Sequence, residues 1–139
     1  MFILDTNVLS AIMSARPAPE VAAWIAGQPD AALFTTTISQ AEILAGLAVM
    51  PEGRRRDALE TAAQAIFADD FNGRVLPFDA AAAATYADIF AARRRVGRST
   101  APLDLMIAAV ARANGAGVVT RDIGGFEDCG VPLIDPWQA

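Results

Sequence analysis

The sequence predicts one α/β domain built on a central parallel sheet of about four to five strands flanked by helices. Three observations carry that expectation. Short apolar runs of strand length alternate with longer stretches whose apolar residues recur at helical spacing. Hydrophobic residues make up 54% of the 139 and charged ones 19%, a composition with one core's worth of apolar material and unlike that of a disordered chain. No internal repeat, low-complexity segment or interdomain linker divides the chain, so residues 1–139 read as a single domain.

Phe2-Ile3-Leu4 reads as a buried strand that stops at the polar Asp5-Thr6-Asn7. Val8 to Ser14 is helical until Pro17 and Pro19 interrupt. Glu20 to Gly27 carries Val21, Trp24 and Ile25 at helical spacing and closes on a glycine. Ala32 to Thr36 is a second buried strand. Ser39, with Glu42 three residues on and Ile43, Leu44 and Leu47 behind, reads as a capping box that starts a helix. After Pro51-Glu52-Gly53, the stretch Arg54 to Asp69 sets Leu59, Ala62, Ala63, Ile66 and Phe67 on one face. Val75 to Phe78 is a short strand, and Asp79 can cap an alanine-rich helix from Ala80 to Arg95. The polar loop Gly97-Arg98-Ser99-Thr100 leads to Pro102, which suits a helix start. Leu103, Ile107, Val110 and Ala111 form that helix's apolar side, and Asn114-Gly115 stops it. Gly117 to Thr120 is a strand ending at Arg121-Asp122, and Leu133-Ile134 is a last strand before Pro136-Trp137.

Composition narrows the chemistry. There is no histidine, and Cys129 is the only cysteine. An internal disulfide, a conventional zinc site and any histidine-activated nucleophile are excluded. A metal site would have to use oxygen ligands, which suits Mg²⁺, Mn²⁺ or Ca²⁺. Met1-Phe2-Ile3-Leu4 runs straight into Asp5 without a basic, apolar leader, and no apolar run reaches the ~18–20 residues of a membrane span. A soluble, cytoplasmic protein with no membrane partner is expected. The net charge of −5 speaks against a nucleic-acid partner, because phosphate binding usually leaves a basic footprint. The distribution softens that objection. All 11 bases are arginines, six of them in the runs Arg54-Arg55-Arg56 and Arg93-Arg94-Arg95, with Arg98 extending the second. These runs read either as phosphate contacts or as solvated helix faces.

The acids are more informative. Asp5 and Asp122 each follow directly on an apolar strand, and in an open parallel sheet ligand sites form just outside the carboxyl ends of the strands. Glu42 and Asp104 each lie near the start of a helix, and helices that follow such strands start at that same edge. Four acids far apart in sequence are thus expected to converge on one crevice. Each alone has a plainer reading. Asp5 could cap the next helix, Glu42 could close the capping box, Asp104 could favour a helix N-terminus, and Asp122 could be a turn residue paired with Arg121. Asp104, however, sits between Leu103 and Leu105 on an apolar helix, where a buried acid needs a partner. Asp57, Glu60, Asp69, Asp70, Asp88, Glu127 and Asp128 read as solvated charge. Four carboxylates in one pocket cannot all stay ionised without a cation, since like charges raise one another's pKa. Two divalent ions would answer that and could assist an in-line phosphoryl displacement without histidine.

In this order the motifs resemble those of the PIN-domain ribonucleases, most of all the VapC-type toxins of bacterial toxin–antitoxin pairs. The resemblance spans essentially the whole chain. LDTNVLS matches the first motif, ISQAEILAGL the second, PLDLMIAAVARANG the third, and VVTRDIGGF with GVPLIDPW the fourth region and the ending. It implies a PIN-like three-layer fold and an Mg²⁺- or Mn²⁺-dependent endoribonuclease, with Asp5, Glu42, Asp104 and Asp122 as the metal-binding, catalytic cluster. Thr6, Asn7 and Thr120 match polar neighbours that orient carboxylates, water or substrate. Their alternative is ordinary turn and strand-end hydrogen bonding. The resemblance also implies an RNA substrate, a VapB-type antitoxin and usually a homodimer. Apolar faces around Trp24, Leu44 and Leu47 could serve the core, the antitoxin or the dimer.

Two departures from the family pattern stand out. Many relatives have asparagine at the position of Asp122 and an aspartate just before the phenylalanine; here Gly125 precedes Phe126, so Asp122 is the one candidate for the fourth acid. Relatives also often carry a histidine where Asn114 stands, away from the acids. Two other functions stay open: a housekeeping PIN-type nuclease without an antitoxin, and a non-catalytic regulator that keeps the fold. A phosphotransfer domain fits less well. Asn7 stands where haloacid-dehalogenase-like phosphatases carry a second aspartate, and the chain has no lysine.

Overall fold

The computed structural model describes residues 1–139. Five strands, β1 (Phe2–Leu4), β2 (Leu33–Thr36), β3 (Val75–Leu76), β4 (Gly117–Val119) and β5 (Leu133–Ile134), form one sheet. Their order is β3-β2-β1-β4-β5, and every neighbouring pair is parallel. The helices are α1 (Thr6–Met13), α2 (Pro19–Ala26), α3 (Thr37–Ala48), α4 (Arg54–Gln64), α5 (Ala80–Arg95), α6 (Pro102–Ala113) and the single turn α7 (Ile123–Phe126). This is the α/β architecture with a fully parallel sheet that the apolar runs predict.

Successive strand side chains point to opposite faces, and this splits the core in two. Ile3 and Val118 pack with Ile89, Leu105, Ile107 and Phe126 on the α5–α6 side. Leu4 and Val119 pack with Val8, Leu9, Val21, Ile43 and Leu47 on the other. Helices therefore cover both faces, giving three layers. From β1 the chain moves outward to β2 and β3, then returns to place β4 on the opposite flank of β1. The strand order reverses between β1 and β4, and a crevice opens beyond their carboxyl ends at such a switch point.

Local chemistry sets the boundaries, and several differ from expectation. Helix α1 starts at Thr6, earlier than the apolar pattern suggests, because the Asp5 carboxylate accepts the Thr6 N–H at 2.8 Å. Helix α3 is capped by Thr36, whose hydroxyl accepts the Ser39 N–H at 3.1 Å. Ser39 is therefore inside the helix, and the Ser39–Glu42 capping box does not form. Asp30–Ala32 makes a 3₁₀ turn, so β2 begins at Leu33. Helix α4 passes at Ala65–Asp70 into a π-helical turn, with the Phe71 N–H bonded to the Ile66 carbonyl at 2.8 Å. Strand β3 ends at Leu76, where Pro77 offers no N–H to a ladder. Helix α5 has the expected bounds, and Asp79 accepts the Ala82 N–H at 2.9 Å. On α6 the buried side is Leu105 with Ile107 to Ala111, whereas Leu103 is 46% exposed. Gly115, at φ +67°, takes the left-handed turn that ends α6. No helix is long and apolar enough to cross a membrane.

Candidate functional site

Asp5 lies at the carboxyl end of β1 and is 5% exposed. Its Oδ1 accepts the Thr6 N–H, and its Oδ2 accepts the Thr120 hydroxyl at 2.8 Å and the Asn7 amide at 3.3 Å. Thr120, buried at the end of β4, gives its proton to Asp5 and accepts from Asn7 Nδ2 at 3.2 Å and the Asp122 N–H at 3.0 Å. One hydroxyl thus joins the acid after β1 to the backbone of the acid after β4. Asn7 Oδ1 accepts the Arg121 N–H at 3.2 Å, which closes the same seam.

Glu42 reaches the crevice from α3. The Thr6 hydroxyl donates to its Oε1 at 2.8 Å and lies 3.0 Å from the buried Ser39 hydroxyl. Asp104 stands in the first turn of α6 and is half-buried. Asp122 caps α7, with Oδ1 accepting the Gly125 N–H at 3.1 Å. Gly125 shows how Asp104 and Asp122 meet: a β-carbon there would lie 2.5 Å from Asp122 Oδ2 and 3.0 Å from Asp104 Oδ2. A side chain at position 125 would compete with the Asp122 carboxylate for its place. Arg121 does not pair with Asp122; its guanidinium lies over the Trp137 ring, 4.9 Å from the centroid.

The acids disturb one another. Burial pushes the Asp5 carboxyl up from 3.8 to about 6. The hydrogen bonds from Thr120 and the Thr6 N–H oppose that rise, and the charges of Asp104 and Glu42 add to it. Asp104 is also raised, first by burial, then by Asp122 and Glu42, while Arg93 pulls it back. With the side chains as they stand, no three carboxylates surround one point at ligand distance. Their donor set is nonetheless all oxygen and over-supplied with negative charge, which fits a hard divalent cation and no softer metal. Asp5, Glu42, Asp104 and Asp122 are the residues that could hold it.

Thr6, Asn7 and Thr120 all bind acids of the cluster, so their turn-forming and acid-orienting readings coincide. Ser39, Gly125 and Arg93 were not anticipated at the site. Ser39 stands one helical turn before Glu42, a spacing that could have flagged it. Arg93 is the larger surprise. A phosphate-contact or solvated role was expected for the whole run Arg93-Arg94-Arg95, yet Arg93 is 2% exposed while Arg94 and Arg95 face solvent. Its spacing from Ile89 and Ala82 on α5 places it on the buried stripe. In the other run, Arg56 is engaged by Glu60 at 2.8 Å.

A groove of about 800 Å³ opens beside Thr6 and Glu42 and runs between α1, α3 and α4 past Met13, Met50, Arg55 and Leu59. Of the three apolar residues left open between core and partner, Leu47 is buried and Trp24 packs edge-on against Phe2, with centroids 5.4 Å apart. Leu44 is 50% exposed on a second, smaller groove.

A family model for the PIN domain matches residues 2–130. The plasmid stability protein StbB of Pseudomonas syringae pv. tomato is 41% identical over all of both chains. VapC ribonuclease Y4jK of Sinorhizobium fredii is also 41% identical, over 99% of each chain. In three dimensions the chain superposes on the crystal structure of FitAcB from Neisseria gonorrhoeae with a TM-score of 0.92, at 33% identity and with full coverage of both chains.

Proposed function

The chain belongs to the PIN-domain family, and on that footing we propose that it is a VapC-type endoribonuclease, dependent on Mg²⁺ or Mn²⁺, and the toxin of a toxin–antitoxin pair. The observation that carries this reading is the gathering of Asp5, Glu42, Asp104 and Asp122 from four separate segments at one sheet edge: Thr120 joins Asp5 to Asp122, Thr6 holds Glu42, and Asp104 meets Asp122 at Gly125. Full-length similarity to a VapC ribonuclease supports it.

In this mechanism Asp5 and Asp104 would be the central ligands, and Glu42 and Asp122 would complete the set directly or through water. The ion, when bound, offsets the clustered negative charge and supplies Lewis-acid activation of water and of the scissile phosphate. The protein's part is positioning. Asp5 is held on both oxygens, so its orientation is fixed before anything binds. Thr6 holds Glu42 towards the crevice, and the Gly125 N–H holds Asp122 beside Asp104. Asp5 is buried, which strengthens any charge interaction made there.

The cognate antitoxin is proposed to be VapB-type and to lie in the groove that begins at Thr6 and Glu42. Its partly apolar lining suits a partner segment, and a segment there would cover Glu42, the one acid of the four that lines it. A homodimer and a cytoplasmic location complete the proposal. A short reading frame adjacent upstream would separate this toxin from a housekeeping nuclease. The direct test is RNA cleavage in Mg²⁺ by Asp5→Asn and Asp104→Asn, each expected to lose about a thousandfold. Undiminished cleavage by either variant would overturn the mechanism. Sequencing of RNA ends after induced expression, with Asp5→Asn as control, identifies the substrate.

A further inference from the structure

Two arginines tie together the segments that carry Asp104 and Asp122. Arg93, in the last turn of α5, is buried and has no carboxylate at ion-pair distance. A buried cation is costly unless its donors are filled. Two of its five N–H groups are taken by backbone: Nε donates to the Ser99 carbonyl at 2.7 Å, and Nη1 donates to the Glu127 carbonyl. Arg98 spans the same junction on the surface. Its Nη1 lies 2.9 Å from Glu127 Oε2, and its Nε donates to the Asp128 carboxylate. Asp128 holds a φ of +61°, a conformation uncommon outside glycine, at the point where Arg98 grips it.

Both arginines therefore join residues 98–99 to residues 127–128. The first segment feeds α6, whose first turn carries Asp104. The second leaves α7, which Asp122 caps. Between them lies Gly125, against which the two carboxylates meet. We propose that Arg93 and Arg98 form a clasp that sets the spacing of Asp104 and Asp122, with Arg93 as a positioning residue that acts through the loops it holds. The functional consequence rests on the metal-site reading above; the clasp itself does not. Arginine is needed at position 93 because its planar fork reaches two carbonyls on two segments, whereas an ammonium is a single nitrogen. Arg93→Lys keeps the charge and loses the bridge.

The test uses the full chain and three variants: Arg93→Lys, Arg98→Ala and, as control, Arg94→Gln from the exposed part of the same run. Amide hydrogen exchange is followed in residues 97–105 and 122–130, with α3 as internal reference, and Mn²⁺ alone is titrated. Arg93→Lys should speed exchange in both segments together and weaken Mn²⁺ binding about tenfold. Arg98→Ala should move both readouts the same way by about two- to threefold, because exposed ion pairs hold weakly. Arg94→Gln should change neither. Unaltered exchange in Arg93→Lys and Arg98→Ala overturns the clasp. Faster exchange with wild-type Mn²⁺ affinity overturns the positioning role, since a merely supporting contact would behave that way. If Arg93→Lys does not fold, Arg98→Ala decides on the same criteria. If the wild type binds no Mn²⁺, the metal reading falls while the exchange data still decide the clasp.

Discussion

Asp5 carries the strongest conflict of any residue in the chain, because it is buried, acidic and faced by other acids. Its carboxyl titrates near 6 in the fold against 3.8 in the open chain. Since the folded-state value is the higher one, the folded chain takes up this proton more readily than the unfolded chain. The metal-free fold is therefore favoured by Asp5 at low pH and loses that contribution as the pH rises from about 4 to about 6, at most about 3 kcal/mol in all. Asp5→Asn lacks the titrating group. In EDTA it should be more stable than wild type at pH 7, and the gap should close as the pH falls towards 4. Urea unfolding of both proteins across that range measures it, and a gap indifferent to pH would sink the idea. The positions of the four acids were legible in the sequence because strand ends and helix starts share one edge of a parallel sheet. Their partners were not. Thr6 binds Glu42 across 36 positions of sequence, a contact that exists only once β1 and β2 have paired. Arg93 was misread for a related reason: in a run of three like residues, charge patterning speaks for the run, while helical phase decides each member separately.

Elements were read well where one local signal dominated and poorly where two competed. Asp79 and the alanine run left no rival start for α5, and its bounds are as predicted. For α3, Thr36, Thr37 and Ser39 are all competent caps, and the Glu42 spacing favoured the wrong one. What decides is the strand: β2 holds Thr36 in extended geometry at φ −127°, ψ 159°, so its hydroxyl is the one aimed at the free N–H groups. Thr36 is fully buried, so no water can replace that cap. Thr36→Val preserves shape and removes the acceptor. It should cost about 1–2 kcal/mol and lower Tm by roughly 4–8 °C in a thermal melt. An unchanged Tm would mean that the Ser39 N–H finds another acceptor. The π-helical turn after α4 lay beyond sequence reading, because one wider turn leaves the apolar spacing of Arg54 to Asp69 looking regular.

At the scale of the whole molecule, the topology and the charge describe the same object. The strand order reverses between β1 and β4, at the sheet edge where the acids collect, and the chain's net charge is −5. Committing four carboxylates to cations, as proposed, would remove most of that excess, so ion binding should stabilise the fold. A ligand that binds only the folded state adds RT ln(1 + [L]/Kd), about 2.7 kcal/mol at a hundredfold excess over Kd. Saturating Mn²⁺ should therefore raise the wild-type Tm by several degrees, and EDTA should reverse it. Asp104→Asn, with one ligand lost, should show little of the rise. Protons compete for Asp5, so the Mn²⁺-dependent rise should also shrink as the pH drops below about 6. A rise of equal size in wild type and Asp104→Asn, or one unmoved between pH 7 and pH 5, would place the cation elsewhere on this acidic surface. That result would detach the metal from the four acids at the switch point.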